Sequence, residues 1–185
     1  SSFKEKCIGM TTVVSVQIIL CAQKARSPID LGPNIQMLYS YYNICIGFES
    51  GYNGFDYAGE GGRNISIGKY AMKQGSSSYR NIGIGEYSNG GGGRVTNNDN
   101  ISIGAYSRYM GGSGYQNISM GHNSQHNGGS GAYNISLGYN SGYYCNNSHY
   151  NIYMGRESGT GTTSTNNSSH NIGMGYRSLN KIHDS

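Results

Sequence analysis

The residues of this chain with the chemistry for catalysis or metal binding are few and scattered. Hydrolysis of a glycosidic bond needs two carboxyl groups about 5–9.5 Å apart. Glu49, Glu86 and Glu157 fall at similar places in a repeated phrase, but in copies more than one repeat apart, so they do not pair within one chain. Asp56 and Glu60 are the one close acidic pair in a loop. The histidines His122, His126, His149, His170 and His183 show no zinc-site spacing. Cys7, Cys21, Cys45 and Cys145 contain no CxxC pair. We therefore expect no enzyme activity, no cofactor and no metal. The net charge is +4 with 12% charged residues and no run of Lys or Arg, which argues against a nucleic-acid footprint. The apolar run 11–22 is far short of the roughly 20 residues that span a bilayer, so it is read as a strand or attachment segment and no membrane insertion is expected.

The elements that position these residues come from one phrase, Asn-Ile-x-(Ile/Leu/Met)-Gly-x-x-Ser, written eight times. Asn43, Ile44 and Gly47 are followed by Asn64, Ile65 and Gly68; by Asn81, Ile82 and Gly85; and by Asn100, Ile101 and Gly104. The series continues with Asn117, Ile118 and Gly121; Asn134, Ile135 and Gly138; Asn151, Ile152 and Gly155; and Asn171, Ile172 and Gly175. The steps are 21, 17, 19, 17, 17, 17 and 20 residues. A period of this size denotes one supersecondary unit stacked on itself. The spacing predicts an all-β solenoid of eight coils over residues 43–178, with a cap or attachment segment at 1–42 and a tail at 179–185.

Strand side chains alternate with period two. We therefore expect the Ile at offset +1 and the aliphatic at +3 to point inward together, and offset +2 to point outward. Gly at +4 ends the strand, and Ser at +7 turns inward at a corner. Gly75, Gly111 and Gly128 suggest a second corner, so each coil is expected to hold a second short strand. Stacking at ~4.8 Å would align the Asn residues in a ladder of side-chain amides, in a rod of roughly 34 Å. The extra residues fall in intervals 52–62, 89–99 and 159–170, outside the phrase, and map to loops on one edge.

The apolar fraction of 35% is below the usual ~45–50%. Two large aliphatics per coil contribute ~1.5–3 kcal/mol each when buried, against ~1–2 kcal/mol of backbone entropy per ordered residue. That margin favours burial against sister chains, in a closed rotational oligomer.

The stretches Ile65-Ser-Ile-Gly-Lys-Tyr-Ala71 and Ile101-Ser-Ile-Gly-Ala-Tyr-Ser107 resemble the head repeats of trimeric autotransporter adhesins. They are closer still to related repeats of bacteriophage and other viral tail-fibre proteins. The resemblance covers about residues 43–178 and implies a left-handed β-roll, three chains about one axis, a place on the virion surface or outside the cell, and a role in attachment. On this reading the partners are sister chains, other virion or fibre proteins through residues 1–42, and a host surface glycan or receptor. A purely structural filament component, or a fragment of a bacterial trimeric adhesin, is the alternative.

Recognition then belongs to the intervals between phrases. Tyr52, Tyr57, Arg94, Thr162 and Thr163 are the candidates for ligand contact. Tyr offers both an apolar face and a hydroxyl. Elsewhere Tyr recurs two residues before the phrase, at Tyr79 and Tyr115, which favours packing. Asn64, Asn100, Asn117 and Asn134 sit in glycosylation sequons, but a ladder role explains them without sugar.

Overall fold

The structure is a computed structural model that describes residues 18–20, 43–51, 62–73, 78–91, 97–161 and 168–180. Every copy of the phrase forms a three-residue strand: β2 Ile44–Ile46, β3 Ile65–Ile67, β4 Ile82–Ile84, β5 Ile101–Ile103, β6 Ile118–Met120, β7 Ile135–Leu137, β8 Ile152–Met154 and β9 Ile172–Met174. These eight strands lie parallel and in chain order in one sheet, like residue beside like. β1, Ile18–Leu20, pairs antiparallel with the outer edge of β2, with Ile18 opposite Ile46. No helix occurs among the described residues. The fold is a β-solenoid.

The chain leaves each strand at Gly, whose φ lies between 109° and 134° in all eight copies. Turns follow in succession. In the second copy φ is positive at Tyr70 and Met72, and the Ala71 and Lys73 N–H groups donate to the Gly68 and Tyr70 carbonyls at 3.3 and 3.2 Å. Each turn thus carries a positive φ at its third residue, the mark of a type II turn. The second strand expected in each coil is replaced, among the described residues, by this run of turns and by single parallel bridges linking Gly62, Tyr79, Asn98 and Tyr115. A backbone that alternates in the sign of φ cannot lie flat in a ladder.

The facing of the strand is opposite to the expected one. The central residue is buried in β3 to β9, as at Ser66, Ser102, Ser119, Ser136 and Tyr153. The aliphatics on either side are half-buried or exposed, up to 68% for Ile172. The corner after Gly decides this. It folds Ser at +7 back under the strand of the next coil, where Ser88, Ser107 and Ser124 donate to the carbonyls of Ser102, Ser119 and Ser136 at 2.6–2.8 Å. The space so enclosed is too narrow for two rows of Ile. The buried hydrophobic residues are only Ala71, Met72, Ala132, Cys145 and Tyr153 among those described.

Offsets +2 and +8 share this interior and trade volume. Met72 fills the space over Gly83, where a Cβ would lie 2.7 Å from its Cγ. Tyr153 occupies the coil where +8 is Gly159, whose Cβ would lie 2.2 Å from the ring. Leu179, assigned above to the tail, is the +8 residue of the last coil and packs over Gly173, where a Cβ would lie 3.0 Å from its Cδ1.

The Gly at +4 stacks on its own kind. A Cβ at Gly121 would stand 2.5 Å from the Gly138 carbonyl oxygen, whereas one at Gly175 meets nothing within 4 Å. Both carry strained φ values of 130° and 109°, worth on the order of 1–3 kcal/mol for a non-Gly residue. Gly121→Ala should therefore cost that strain plus the clash, and Gly175→Ala the strain alone. Urea unfolding of the two variants compares them, and equal losses would show that the stacked contact does not constrain this position.

Candidate functional site

The Asn residues at offset 0 form a continuous amide ladder. Asn100 Oδ1 accepts from the Asn117 backbone N–H at 2.9 Å and from its Nδ2 at 3.1 Å. Asn100 Nδ2 in turn donates to Asn81 Oδ1 and to the Gly114 carbonyl, both at 3.1 Å. The Oδ1 contacts recur at each step from Asn43 to Asn171. Each interior amide thus has both donors and both lone pairs in use. The sequon residues Asn64, Asn100, Asn117 and Asn134 are buried in this ladder, out of reach of a sugar.

The outer surface carries three columns of rings, which the sequence reading did not resolve. The first runs Phe48, Tyr70, Tyr87, Tyr106, His122 and Tyr139, with successive centroids 4.8–6.1 Å apart. The second is Tyr109, His126 and Tyr143, at 5.4 and 5.0 Å. The third is Tyr115, Tyr133, Tyr150 and His170, at 4.9–5.2 Å. Tyr87–Tyr106, His122–Tyr139, His126–Tyr143, Tyr133–Tyr150 and Tyr150–His170 stack face to face, whereas Phe48–Tyr70 and Tyr115–Tyr133 meet edge-on and the other neighbours are tilted. Where rings stack, their faces are taken by one another and are closed to a sugar. The signal for the first column was present but shifted by one residue, since its rings sit at offset +5 in some copies and +6 in others.

The acids among the described residues are tied into ion pairs, mostly between neighbouring coils. Glu49 pairs with Lys73, Glu86 with Lys69, Asp99 with Arg80, and Glu157 with Arg177 and Arg156. The hydrogen bond from Arg80 holds Asp99 below its usual carboxylate range, and that from Arg177 does the same for Glu157. These pairs are largely exposed and each contributes little to stability. Asp56 and Glu60 lie outside the described residues, as do all five ligand-contact candidates, Tyr52, Tyr57, Arg94, Thr162 and Thr163. No group of three or more His, Cys, Asp or Glu suited to a metal occurs among the described residues.

Three buried groups have unusual chemistry. The Cys145 thiol donates to the Gly159 carbonyl at 2.7 Å, and burial pushes its pKa up to about 12, so it stays protonated and unreactive. Burial and the nearby His122 lower the pKa of half-buried His126. Arg108 is fully buried, and its pKa is drawn down to about 10 by desolvation. No signal in the phrase announces Arg108, because offset +8 is variable.

The remaining feature is the aliphatic face. Offsets +1 and +3 place two columns of Ile, Leu and Met along the outside of the sheet, with Ile44, Met120, Met154, Ile172 and Met174 the most exposed. Comparison with protein-family models, with curated proteins and with solved structures returned no match.

Two outcomes follow from this geometry. Asn100→Ala leaves the Asn117 backbone N–H and the Gly114 carbonyl without their partner and takes one bond each from Asn117 Nδ2 and Asn81 Oδ1, at about 1–3 kcal/mol for each buried group left unsatisfied. We expect a loss of several kcal/mol, larger than for Asn171→Ala at the ladder's end; denaturant unfolding measures both, and equal losses would refute the ladder's role. His126 takes up its proton in the unfolded chain near pH 6.5 and only at lower pH in the fold. Its contribution is therefore intact above pH 6.5 and lost as pH falls toward the folded value. His126→Phe, which keeps the stack, should flatten the fall in melting temperature between pH 7 and 5, and an unchanged slope would exclude His126 as its source.

Proposed function

We propose that this chain is a structural fibre or spike component that assembles into a homotrimer through its aliphatic face. The single observation that carries the reading is that face, which lies on a solenoid whose interior is polar. Eight strands each expose two aliphatic side chains. Five of these sixteen are 36–68% exposed and the other eleven less than that. Burying what is left exposed contributes roughly 0.5–1 kcal/mol each, so the face is worth on the order of 10 kcal/mol per chain, the same order as the ~4–15 kcal/mol that association costs. Parallel strands in register repeat the same row every ~4.8 Å, and three such faces interdigitate about one axis.

The virion setting, the left-handed sense of the coil and attachment to a host surface rest on the resemblance of the repeat phrase. In this reading residues 1–42 join other fibre proteins, and the intervals 52–62, 89–99 and 159–170 meet a surface glycan or receptor. The stacked ring pairs between coils, such as Tyr133–Tyr150 and Tyr150–His170, favour a second reading, a purely structural filament component whose Tyr columns serve packing.

Light scattering at micromolar concentration tests the assembly. The full chain is expected as a trimer, and Ile103→Lys with Ile135→Lys as a soluble monomer; a wild-type monomer would sink the reading. Replacement of residues 162–167 by a Gly-Ser segment should abolish binding to target cells while leaving the trimer intact. Binding that survives replacement of every interval would favour the purely structural alternative.

A further inference from the structure

The interior between the third and fourth coils holds a positive charge that no carboxylate among the described residues answers. Arg108 is 1% exposed, and its Nη1 donates to Asn89 Oδ1 and Asn97 Oδ1, both at 3.1 Å. These acceptors are neutral. The nearest acids in sequence, Glu86 and Asp99, are engaged by Lys69 and Arg80 at the surface. Arg108 Nε has no hydrogen-bond partner. Two more buried polar atoms with none, Asn89 Nδ2 and Ser102 Oγ, belong to the same part of the interior.

The repeat places these three donors together. Asn89 meets Arg108 directly through its Oδ1. Ser102 occupies offset +2, which faces offset +8 both in its own coil and in the one before. One coil on, its equivalent Ser119 gives its hydroxyl to Gln125, the equivalent of Arg108, at 2.7 Å. One coil back, a Cβ at its equivalent Gly83 would lie 2.7 Å from Met72, the equivalent of Asn89. Ser102 Oγ therefore belongs to the same interior layer as the Asn89 and Arg108 side chains, and it has no hydrogen-bond partner there.

We propose that Arg108, Asn89 and Ser102 form an interior site for a single small inorganic anion of the halide class. Three donors and one positive charge, buried and without an acceptor, are what such an ion requires. Buried polar groups are ordinarily satisfied and buried charges ordinarily paired. The ion supplies both needs at once: it accepts from Nε, Nδ2 and Oγ and neutralises the guanidinium. Burial has already drawn the pKa of Arg108 down to about 10, the response of a cation without a counter-charge. The coils stack closely, and a monatomic ion is the anion that asks for the least room between them. The site is independent of the fibre reading above.

Thermal unfolding of the full chain tests this at constant ionic strength, with chloride or bromide replacing gluconate. The melting temperature is expected to rise with the logarithm of halide concentration, as for any ligand that binds only the fold. Asn89→Gly, compatible with the φ of 49° at this position, and Ser102→Ala should each raise the halide concentration needed by about tenfold, the loss of one hydrogen bond of ~1.4 kcal/mol. Arg108→Met should abolish the dependence; if it fails to fold, the other two variants decide. Crystals grown in bromide should show an anomalous peak in contact with Arg108 Nε. Equal melting in halide and gluconate, an unchanged halide response in both Asn89→Gly and Ser102→Ala, or a water oxygen alone at the site in bromide crystals would each overturn the proposal.

Discussion

The amide ladder sets the geometry on which the rest of this structure depends. Each ladder Asn uses Oδ1 to hold the backbone N–H of the next Asn as well as its side chain, at 2.8–3.1 Å. The side chain thus takes the place of a backbone acceptor and locks the start of one coil to the start of the next. A slip of one residue would leave a buried amide and a buried N–H without partners at every step. This is why steps of 17, 19, 20 and 21 residues yield the same parallel register. Extra residues are accommodated only where the ladder does not reach.

The glycine column is the steric counterpart of the ladder. Gly at +4 turns the chain at a φ that other residues rarely adopt, and it does so against the backbone of the next Gly, where a Cβ would come within 2.4–2.7 Å. The turn it starts brings Ser at +7 beneath the neighbouring strand, and the interior closes around hydroxyls and amides. The aliphatic side chains at +1 and +3 are left on the outer face. A solenoid of this kind draws its internal order from hydrogen bonds and close stacking, and it keeps most of its aliphatic surface on one outer face.

The narrow interior also explains where unusual residues are found. Large groups enter only opposite small ones, as Met72 does opposite Gly83 and Tyr153 opposite Gly159. Arg108 enters beside Gly111 and Gly114, where Cβ atoms would lie 2.9 and 2.5 Å from its side chain. Outside, the Tyr and His columns repeat at the coil spacing because each ring must sit over the one below.

Much of the fold was legible in the spacing of Asn, Ile and Gly. Eight copies in register define a solenoid, and the invariant Gly marks the strand's end, because both follow from local backbone geometry repeated along the chain. The alternation of offsets +1, +2 and +3 was equally legible, but not its sense. Period two separates Ile101 and Ile103 from Ser102 without saying which face is inside, and hydrophobicity alone points the wrong way here. That choice was made by the corner after Gly, which encloses a space sized for Ser102 and Ser107 and too small for Ile. The candidate site followed the same division. The Asn ladder could be expected from one repeated residue type, whereas the ring columns shift by one offset between copies and the Arg108 cluster joins residues of adjacent coils at variable positions. Recurrence along the chain determined the unit and its stacking; only the closed coil, by its width and the direction of its turn, decided what lies inside, what faces water and which scattered residues meet.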